Sequence, residues 1–415
     1  MRVALLFVCA LLLGGCSRFA GAPAVPSSPS APAAQLSDDR YGRYASIYSF
    51  SGQASGGAPQ AGLVAVEGKL YGTTSSYGNG YGTVFEVSQF GDLTVLHTFN
   101  GYPDGAYPAA SLLWYKGKLY GTTSGGGSHG GGTVFSITKS GFEHVIHNFG
   151  ARGDGAQPEA GLVQYKGFLY GTTQNGGAHD KGAVFELSRN GGEQVIHSFV
   201  GGPRDGGHPT SSLTLVKNTF YGTTRAGGQN KAGGAVYKIS PFGQERLLHS
   251  FGIESGDGSN PTGSLVNLNG ELYGTTLHGG SVGRGYGTVF AIKTGGQEVV
   301  IHNFGIGRDG AFPDSGLVVV GGQLYGTTTG GGNSPRNSRY CISSGDGPMR
   351  GGYYRCGTIF KMSPFGNEKV IYRFKGDPDG ANPEAGLTAD SGVLYGTTYW
   401  GGSSTYYGTI FRIFP

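Results

Sequence analysis

Charged residues are scarce in this sequence, since Asp, Glu, Lys and Arg make up only 13% of its 415 residues. The formal net charge of +4 is small for this length. Nucleic-acid binding needs a clustered basic face, so we expect no nucleic-acid partner. Helical patterning is also missing, because no apolar stripe with a 3.6-residue period occurs beyond the first fifteen residues.

Familiar catalytic motifs are absent as well. The chain has no HExxH motif, no GxxxxGK[ST] phosphate loop, and no GxSxG elbow between a strand and a helix. We therefore expect no metal site and no cofactor, and the sequence favours a binding protein over an enzyme.

Cysteine is rare, with four residues in the chain. Cys341 and Cys356 are the two in the main body, and in an exported chain such a pair most simply forms one disulfide. In the chain-entropy model, a disulfide that closes a loop of roughly 15 residues stabilises the fold by about 3 kcal/mol. A metal site is the alternative, but the intervening segment offers only Asp346 as a further ligand.

The first fifteen residues predict a lipoprotein signal peptide. Arg2 precedes an apolar run at residues 3–13, which is too short to span a bilayer. The run ends in Leu-Gly-Gly-Cys at Cys16, which resembles the bacterial lipobox, whose cysteine is lipidated and becomes the mature N-terminus. An ordinary secretory signal with a chance cysteine is the alternative.

Residues 16–43 predict the lipidated cysteine followed by a flexible tether rich in Pro, Ala and Ser. Ser17 stands where an Asp would retain a Gram-negative lipoprotein at the inner membrane. We expect an exported lipoprotein at the outer membrane or cell surface, monomeric, and in contact with the membrane through its lipid alone.

Glycine is abundant, with 83 residues, and 12% of the chain is aromatic. This composition suits short strands joined by tight turns. The phrase Leu-Tyr-Gly-Thr-Thr, with Phe for Leu in one copy, recurs at intervals of 49, 50, 51, 52, 52 and 70 residues. Its tyrosines are Tyr71, Tyr120, Tyr170, Tyr221, Tyr273, Tyr325 and Tyr395.

Three further phrases accompany it in each repeat. They are Gly-Thr-Val-Phe, as at Gly82, a short apolar run ending in Phe, as at Phe99, and Asp-Gly-x-x-Pro, as at Asp104. Each repeat of about 50 residues thus predicts four short strands, a to d, as in a propeller blade. The predicted fold is all-β, a seven-bladed β-propeller over residues 44–415.

The chain ends predict how the ring closes. Residues 47–50 form a d strand with no a, b or c strand before it, and residues 408–413 form a c strand with no d strand after it. The N-terminal strand can therefore pair into the C-terminal blade and leave no open edge. A solenoid is the alternative, but it would need distinct end caps.

The repeated phrases over residues 45–415 resemble the Gloeo/Verruco (GloVer) tandem repeat of exported bacterial proteins, and more loosely kelch blades. The resemblance implies a secreted or surface-anchored repeat protein, with no particular activity attached.

Two polar residues recur in the repeats, a His on strand d and an Asp in the d–a loop. We interpret them as repeated packing and turn hydrogen bonds. A metal ring of histidines, or calcium binding near Asp377 and Asp379, is the alternative. The positions are His97, His147, His197, His249 and His302, and Asp104, Asp154, Asp205, Asp257, Asp309 and Asp379.

Binding is expected where one repeat departs from the others. Blade 6 has a b–c loop insert at about residues 333–356, and blades 7 and 1 follow it around the ring. Aromatic rings stack on sugars or side chains and arginines bind carboxylates, although the tyrosines could simply order the loops. The predicted ligand-binding residues are Arg336, Arg339, Tyr340, Arg350, Tyr353, Tyr354, Arg355, Tyr399, Trp400, Tyr406, Tyr407, Tyr77 and Tyr81.

Strand a begins near the central channel, directly after the proline of the d–a loop. Three of the residues at this point are acidic, namely Glu159, Asp314 and Glu384. They are weak catalytic candidates if their pKa values differ, and solvated rim charges otherwise.

The expected function is a surface-anchored, non-catalytic propeller that binds glycan or an envelope protein through the top-face loops of blades 6, 7 and 1. The alternatives are a carbohydrate-active enzyme, a polysaccharide lyase or hydrolase using those acids, and a structural envelope protein.

Overall fold

The computed structural model of the chain describes residues 36–39, 42–281, 285–305, 309–332, 341, 356–403 and 406–415. They belong to a unit that runs from Ala33 to Pro415. The predicted signal peptide and lipidation site lie outside these residues, and so does most of the blade 6 insert. No helix in the described part of the chain has the length and hydropathy needed to cross a membrane.

Blade 2 shows how one repeat folds. Strands a, b, c and d comprise Leu113–Tyr115, Lys118–Thr123, Thr133–Ile137 and Glu143–Asn148, hydrogen-bonded in that spatial order. The a–b turn has φ of 47° at Lys116 and 80° at Gly117. Two successive positive φ values suit a two-residue hairpin turn whose twist matches its strands.

The other complete blades repeat this antiparallel order a–b–c–d. Their strands are Val64–Val66, Lys69–Thr74, Thr83–Ser88 and Leu93–Thr98 in blade 1; Val163–Tyr165, Phe168–Thr173, Ala183–Leu187 and Glu193–Ser198 in blade 3; Thr214–Val216, Thr219–Thr224, Ala235–Ile239 and Glu245–Ser250 in blade 4; Val266–Leu268, Glu271–Thr276, Thr288–Lys293 and Glu298–Asn303 in blade 5; and Val318–Val320, Gln323–Thr328, Thr358–Met362 and Glu368–Arg373 in blade 6.

Five short antiparallel pairs join a d–a loop to the b–c loop of the blade that follows it, which places both loops on one face. They are Gly105–Ala106 with Gly125–Gly126, Gly155–Ala156 with Asn175–Gly176, Gly206–Gly207 with Ala226–Gly227, Gly258–Ser259 with His278–Gly279, and Gly310–Ala311 with Gly330–Gly331.

Blade 7 is assembled from both ends of the chain. Strands a to c are Thr388–Asp390, Val393–Thr398 and Thr409–Ile413, and the N-terminal segment Gly42–Ser49 pairs with the last of these as strand d. The predicted circular closure is confirmed, and the fold is a seven-bladed β-propeller.

The start of the ordered sheet differs from the prediction. Leu36–Asp39 pairs with Gly42–Ser49 and adds a fifth, outermost strand to blade 7. The predicted tether at residues 16–43 therefore overlaps the sheet. The sequence argument missed this strand because the segment has no apolar alternation to mark it.

The hydrophobic core lies in layers between neighbouring blades. One layer joins Tyr71 and Phe99 of blade 1 to Leu119 and Phe135 of blade 2, all buried. The rings of Phe99 and Phe135 meet edge to face, with centroids 5.2 Å apart. Because each side chain of this size contributes roughly 1.5–3 kcal/mol on burial, the repeated phenylalanines hold each blade to the next.

The repeated Thr-Thr pair also joins elements, as expected. In blade 2 the Thr123 and Thr133 hydroxyls are 2.9 Å apart across strands b and c. The hydroxyl of Thr122 donates to the Ala160 carbonyl of blade 3 at 3.1 Å. In blade 2, one threonine of the pair therefore bonds within its blade and the other bonds to the next blade.

Cys341 and Cys356 form a disulfide, which confirms the predicted pairing in place of a metal site. Both are fully buried in a core layer with Phe374 and Tyr44. The bond ties the ends of the blade 6 insert to the interface between blades 6 and 7.

Candidate functional site at the channel mouth

The residue before the proline of each d–a loop has a left-handed backbone. Asn382, with φ of 54°, donates its N–H to the Cys356 carbonyl of blade 6 and accepts from Tyr399 N–H of blade 7. These bonds hold the loops of adjacent blades together. The residues with this backbone are Ala58, Tyr107, Gln157, His208, Asn260, Phe312 and Asn382.

Glu384 directly follows Pro383, the proline of this d–a loop, and lies partly buried at the channel mouth. Its carboxylate accepts a hydrogen bond from the Gln60 amide of blade 1 at 3.1 Å. Burial raises the pKa of Glu384 to about 7; the bond from Gln60 opposes this shift and the charge of Asp314 adds to it. A carboxyl group in this state both donates and accepts hydrogen bonds near neutral pH.

Asp314 and Glu159 belong to the same ring of residues. Burial raises the pKa of each, and the positive charge of Arg225 from blade 4 acts on both in the opposite direction. Glu159 also accepts a hydrogen bond from the Gln174 amide at 3.0 Å. Both acids are thus partly exposed and have polar or charged neighbours from the loops around them.

Sequence reasoning missed Arg225. It directly follows the Thr-Thr pair of blade 4, at a position that is Tyr399 in blade 7 and Gln174 in blade 3. A comparison of this position between repeats would have found it, because the residue type changes from blade to blade while the Thr-Thr pair before it does not.

Tyrosines from blades 7 and 1 meet at the same mouth. The rings of Tyr77 and Tyr407 lie edge to face with centroids 4.5 Å apart, and Tyr77 is 36% exposed. Burial raises the pKa of Tyr399, and the charges of Glu384 and Tyr77 add to this effect. Tyr399 is therefore within electrostatic range of both Glu384 and Tyr77.

The other predicted aromatic residues are distributed differently. Trp400 is half-buried and packs against the core layer that holds the disulfide. Tyr81 faces Tyr107 at a centroid distance of 5.9 Å, between blades 1 and 2, and Tyr406 is 40% exposed. The structure thus joins Tyr77, Tyr399 and Tyr407 at the mouth and uses Trp400 in packing.

Seven predicted ligand-binding residues lie outside the described residues, so their role stays a prediction. They are Arg336, Arg339, Tyr340, Arg350, Tyr353, Tyr354 and Arg355.

The repeated aspartates hold the d–a turns. Asp104 accepts hydrogen bonds from the Gly105 N–H at 2.7 Å and the Asn100 N–H at 3.1 Å, and it lies 3.0 Å from His97 Nε2. This agrees with the interpretation of both residues as turn and packing elements. Equivalent His–Asp pairs, at 3.0, 3.2, 3.3, 3.5 and 3.5 Å, are His97–Asp104, His147–Asp154, His197–Asp205, His249–Asp257 and His302–Asp309.

The closed ring, with its d–a and b–c loops paired on one face, defines a seven-bladed β-propeller. Within that class, the chain belongs to the Gloeobacter/Verrucomicrobia repeat family, whose model matches residues 37–233 and 194–341. The comparison with curated proteins finds no match.

Solved structures share the fold at low identity. A europium-containing methanol dehydrogenase is 9% identical with a TM-score of 0.51, covering 90% of this chain and 93% of that chain. The quinohemoprotein alcohol dehydrogenase of Comamonas testosteroni is 12% identical with a TM-score of 0.51, covering 89% and 76%. A gluconolactonase from Xanthomonas campestris is 11% identical with a TM-score of 0.43, covering 94% and 98%. The first two likenesses show the fold alone, and nothing is concluded from the third.

Proposed function

We propose that this protein is a non-catalytic propeller that binds a glycan at the channel mouth, through the sector formed by blades 6, 7 and 1. The observation that carries the proposal is the juxtaposition of Glu384 and Gln60 with Tyr77, Tyr399 and Tyr407. We call these five residues the mouth sector.

The chemistry of the mouth sector suits a hydroxyl-rich ligand. The amide of Gln60 and the carboxyl group of Glu384 offer both donors and acceptors, which the hydroxyls of a sugar require. Tyrosine rings supply apolar area for the C–H face of a sugar with little loss of side-chain entropy. The same mixture of a few polar groups and aromatic walls is typical of small-ligand sites.

The anchoring part of the proposal rests on the N-terminal sequence. Cys16 would carry the lipid, and the residues that follow would tether the propeller to the outer membrane or cell surface as a monomer. A single membrane attachment would leave the loop face free to meet polymers of the envelope or the surroundings.

The test is binding of the full chain to a glycan array, followed by calorimetry with the best ligand. Tyr399→Ala and Tyr77→Ala should each weaken binding at least tenfold, which is about 1.4 kcal/mol. Phe242→Ala is the matched control, because this ring is 90% exposed in a c–d turn at the opposite end of its blade. Unchanged affinity in both tyrosine variants, or binding to proteins alone, would overturn the proposal.

Acid–base catalysis on a polysaccharide is the second candidate. It is favoured by the adjacent buried acids, since Glu384 has a pKa of about 7 and the charge of Asp314 acts on it. It predicts new reducing or unsaturated ends from a polysaccharide incubated with the chain, and no such product with Glu384→Gln. If no glycan that binds yields a product, catalysis is excluded and only the binding function remains.

A further inference from the structure

The His–Asp pairs have a third member that comes from the next blade. Beside His249 and Asp257 lies Glu298, the first residue of strand d in blade 5, with one oxygen 4.0 Å from His249 Nε2. In each of five clusters one ligand atom per residue lies within 4.8 Å of the other two. The clusters are His97, Asp104 and Glu143; His147, Asp154 and Glu193; His197, Asp205 and Glu245; His249, Asp257 and Glu298; and His302, Asp309 and Glu368.

The backbone places the three members at the outer rim of each interface. The His lies on strand d of one blade, the Asp in the loop that leaves it, and the Glu at the start of strand d in the next blade. Asp257 is fixed by the N–H groups of Gly252 and Gly258, at 2.8 and 2.7 Å. The aspartate is therefore positioned in advance, as a ligand needs to be.

Hydrogen bonds among the described residues do not explain why the glutamates are buried. The Glu298 side chain is only 9% exposed and makes no hydrogen bond among the described residues. His249 Nε2, which faces it, is also buried without a hydrogen bond there. Buried polar groups are nearly always paired, so a buried Glu298 oxygen without a hydrogen bond, in a carboxylate that lies beside His249 and Asp257, points to a missing ligand.

The same unpaired oxygen occurs in all five clusters, in which the Oε1 atom is buried without a partner. The five residues are Glu143, Glu193, Glu245, Glu298 and Glu368.

The other two blade interfaces show that the clusters are not needed for blade packing. Between blades 6 and 7, Tyr372 donates to the Asp379 carboxylate at 2.7 Å, and Tyr44, in the place of the glutamate, stacks on Tyr372 at 3.9 Å. Between blades 7 and 1 the equivalent positions are Tyr48, Ser55 and Leu93. Both the His and the Glu are replaced by other residues at these two interfaces, although the ring is closed there.

We propose that the five clusters are equivalent binding sites for a divalent first-row transition-metal ion such as Zn²⁺, each with one imidazole and two carboxylate ligands. Ligand atoms about 2.0–2.2 Å from a tetrahedral ion lie about 3.3–3.6 Å from one another. The His–Asp distances of 3.3, 3.5 and 3.5 Å in three clusters match this spacing, whereas those of 3.0 and 3.2 Å in the other two are slightly shorter, and the Glu298 oxygen, 4.0 Å from His249 Nε2, would have to approach. The imidazole nitrogen disfavours Ca²⁺ and Mg²⁺, which prefer oxygen.

The clusters lie near the protein surface, since the five histidine side chains are 18–22% exposed. A bound ion would have three protein ligands and would need a further ligand from outside the protein. Three protein ligands with an open position is the arrangement of zinc sites that bind or act on external groups, whereas structural zinc has four protein ligands.

The test uses the full, untagged chain stripped of metal with a chelator and then dialysed against Zn²⁺. Elemental analysis should find five ions per chain, and Glu298→Gln should reduce the number to four. Co²⁺ loading should give a visible absorption band that falls by a fifth in the same variant. His129→Asn is the control and should retain five ions, because this histidine is exposed in a b–c loop outside the clusters.

Thermal unfolding checks that the variant is folded, and Zn²⁺ should raise the unfolding midpoint of the native chain more than that of Glu298→Gln. Fewer than five ions in the native chain would overturn the proposal of five equivalent sites. So would five ions in Glu298→Gln, because the metal would then be held elsewhere.

Discussion

At the scale of single residues, the environment separates acidic groups that look alike in sequence. Asp104 accepts two backbone hydrogen bonds within its turn, and His97 and these bonds lower its pKa against the effect of burial. Glu384 is more deeply buried and accepts one side-chain hydrogen bond, so its pKa is raised to about 7. Hydrogen bonds therefore favour the charged form of Asp104, whereas burial favours the neutral form of Glu384.

Glu384→Gln should change how stability depends on pH. Because the pKa of Glu384 is raised in the folded state, its contribution is fully present below the ordinary value near 4.5 and is lost as pH rises through about 7. As the pH rises from 4.5 to 8, the free energy of unfolding of the variant should increase by up to about 3 kcal/mol relative to that of the native chain. Urea unfolding at both values measures this. The exposed Glu67→Gln should show no such gain, and a pH-independent difference for Glu384→Gln would contradict the assignment.

The glycine of the Tyr-Gly-Thr-Thr phrase is required by packing. A Cβ atom on Gly121 would lie 2.5 Å from the Phe135 ring and 2.7 Å from Leu112. Gly121→Ala should therefore destabilise the chain by about 1–3 kcal/mol, as overpacking of a core does. Gly202→Ala is the matched control, because a Cβ there meets no atom within 4 Å. Equal unfolding midpoints for the two variants would show that the core accommodates the added Cβ atom without loss of stability.

At the scale of elements, ring closure depends on one strand. Gly42–Ser49 covers the edge of Thr409–Ile413, and Tyr44 and Ile47 of this strand are buried. The strand outside it, Leu36–Asp39, pairs with Gly42–Ser49 alone. The two N-terminal strands should therefore differ sharply in importance.

A chain that starts at residue 40 should remain folded and monomeric, whereas one that starts at residue 50 should lose its cooperative melt and self-associate through the open blade edge. Light scattering after size exclusion and thermal unfolding distinguish these outcomes. A monomeric, stable chain from residue 50 onward would mean that blade 7 needs no fourth strand.

At the scale of the whole molecule, the N-terminal sequence predicts attachment to a membrane by lipid. Cys16→Ser should move the chain from the membrane fraction to the soluble fraction of its cells, since the acyl chains supply the binding free energy at about 0.8 kcal/mol per buried CH₂ group. Fractionation and mass spectrometry of the N-terminal peptide measure this. Cys9→Ser should leave the attachment unchanged, and an unmodified membrane-bound variant would rule out the lipid anchor.

Much of the whole fold could be predicted because a propeller repeats its local pattern. The phrases at Tyr71 and Gly82 predicted strands b and c, and the unpaired end strands predicted closure. The candidate site was harder to predict. Trp400, predicted to bind ligand, packs against the disulfide layer while staying partly exposed, and its ligand-binding role stays a prediction.

The sequence by itself determined the number of blades, their strand order and the closure, because hydrogen-bonded hairpins and inter-blade layers recur at a fixed spacing. Only the tertiary structure decided which polar groups meet. Glu298 reaches His249, and Arg225 acts on Glu159 and Asp314, through contacts between different blades. Such contacts depend on the relative placement of the blades, which no local period encodes.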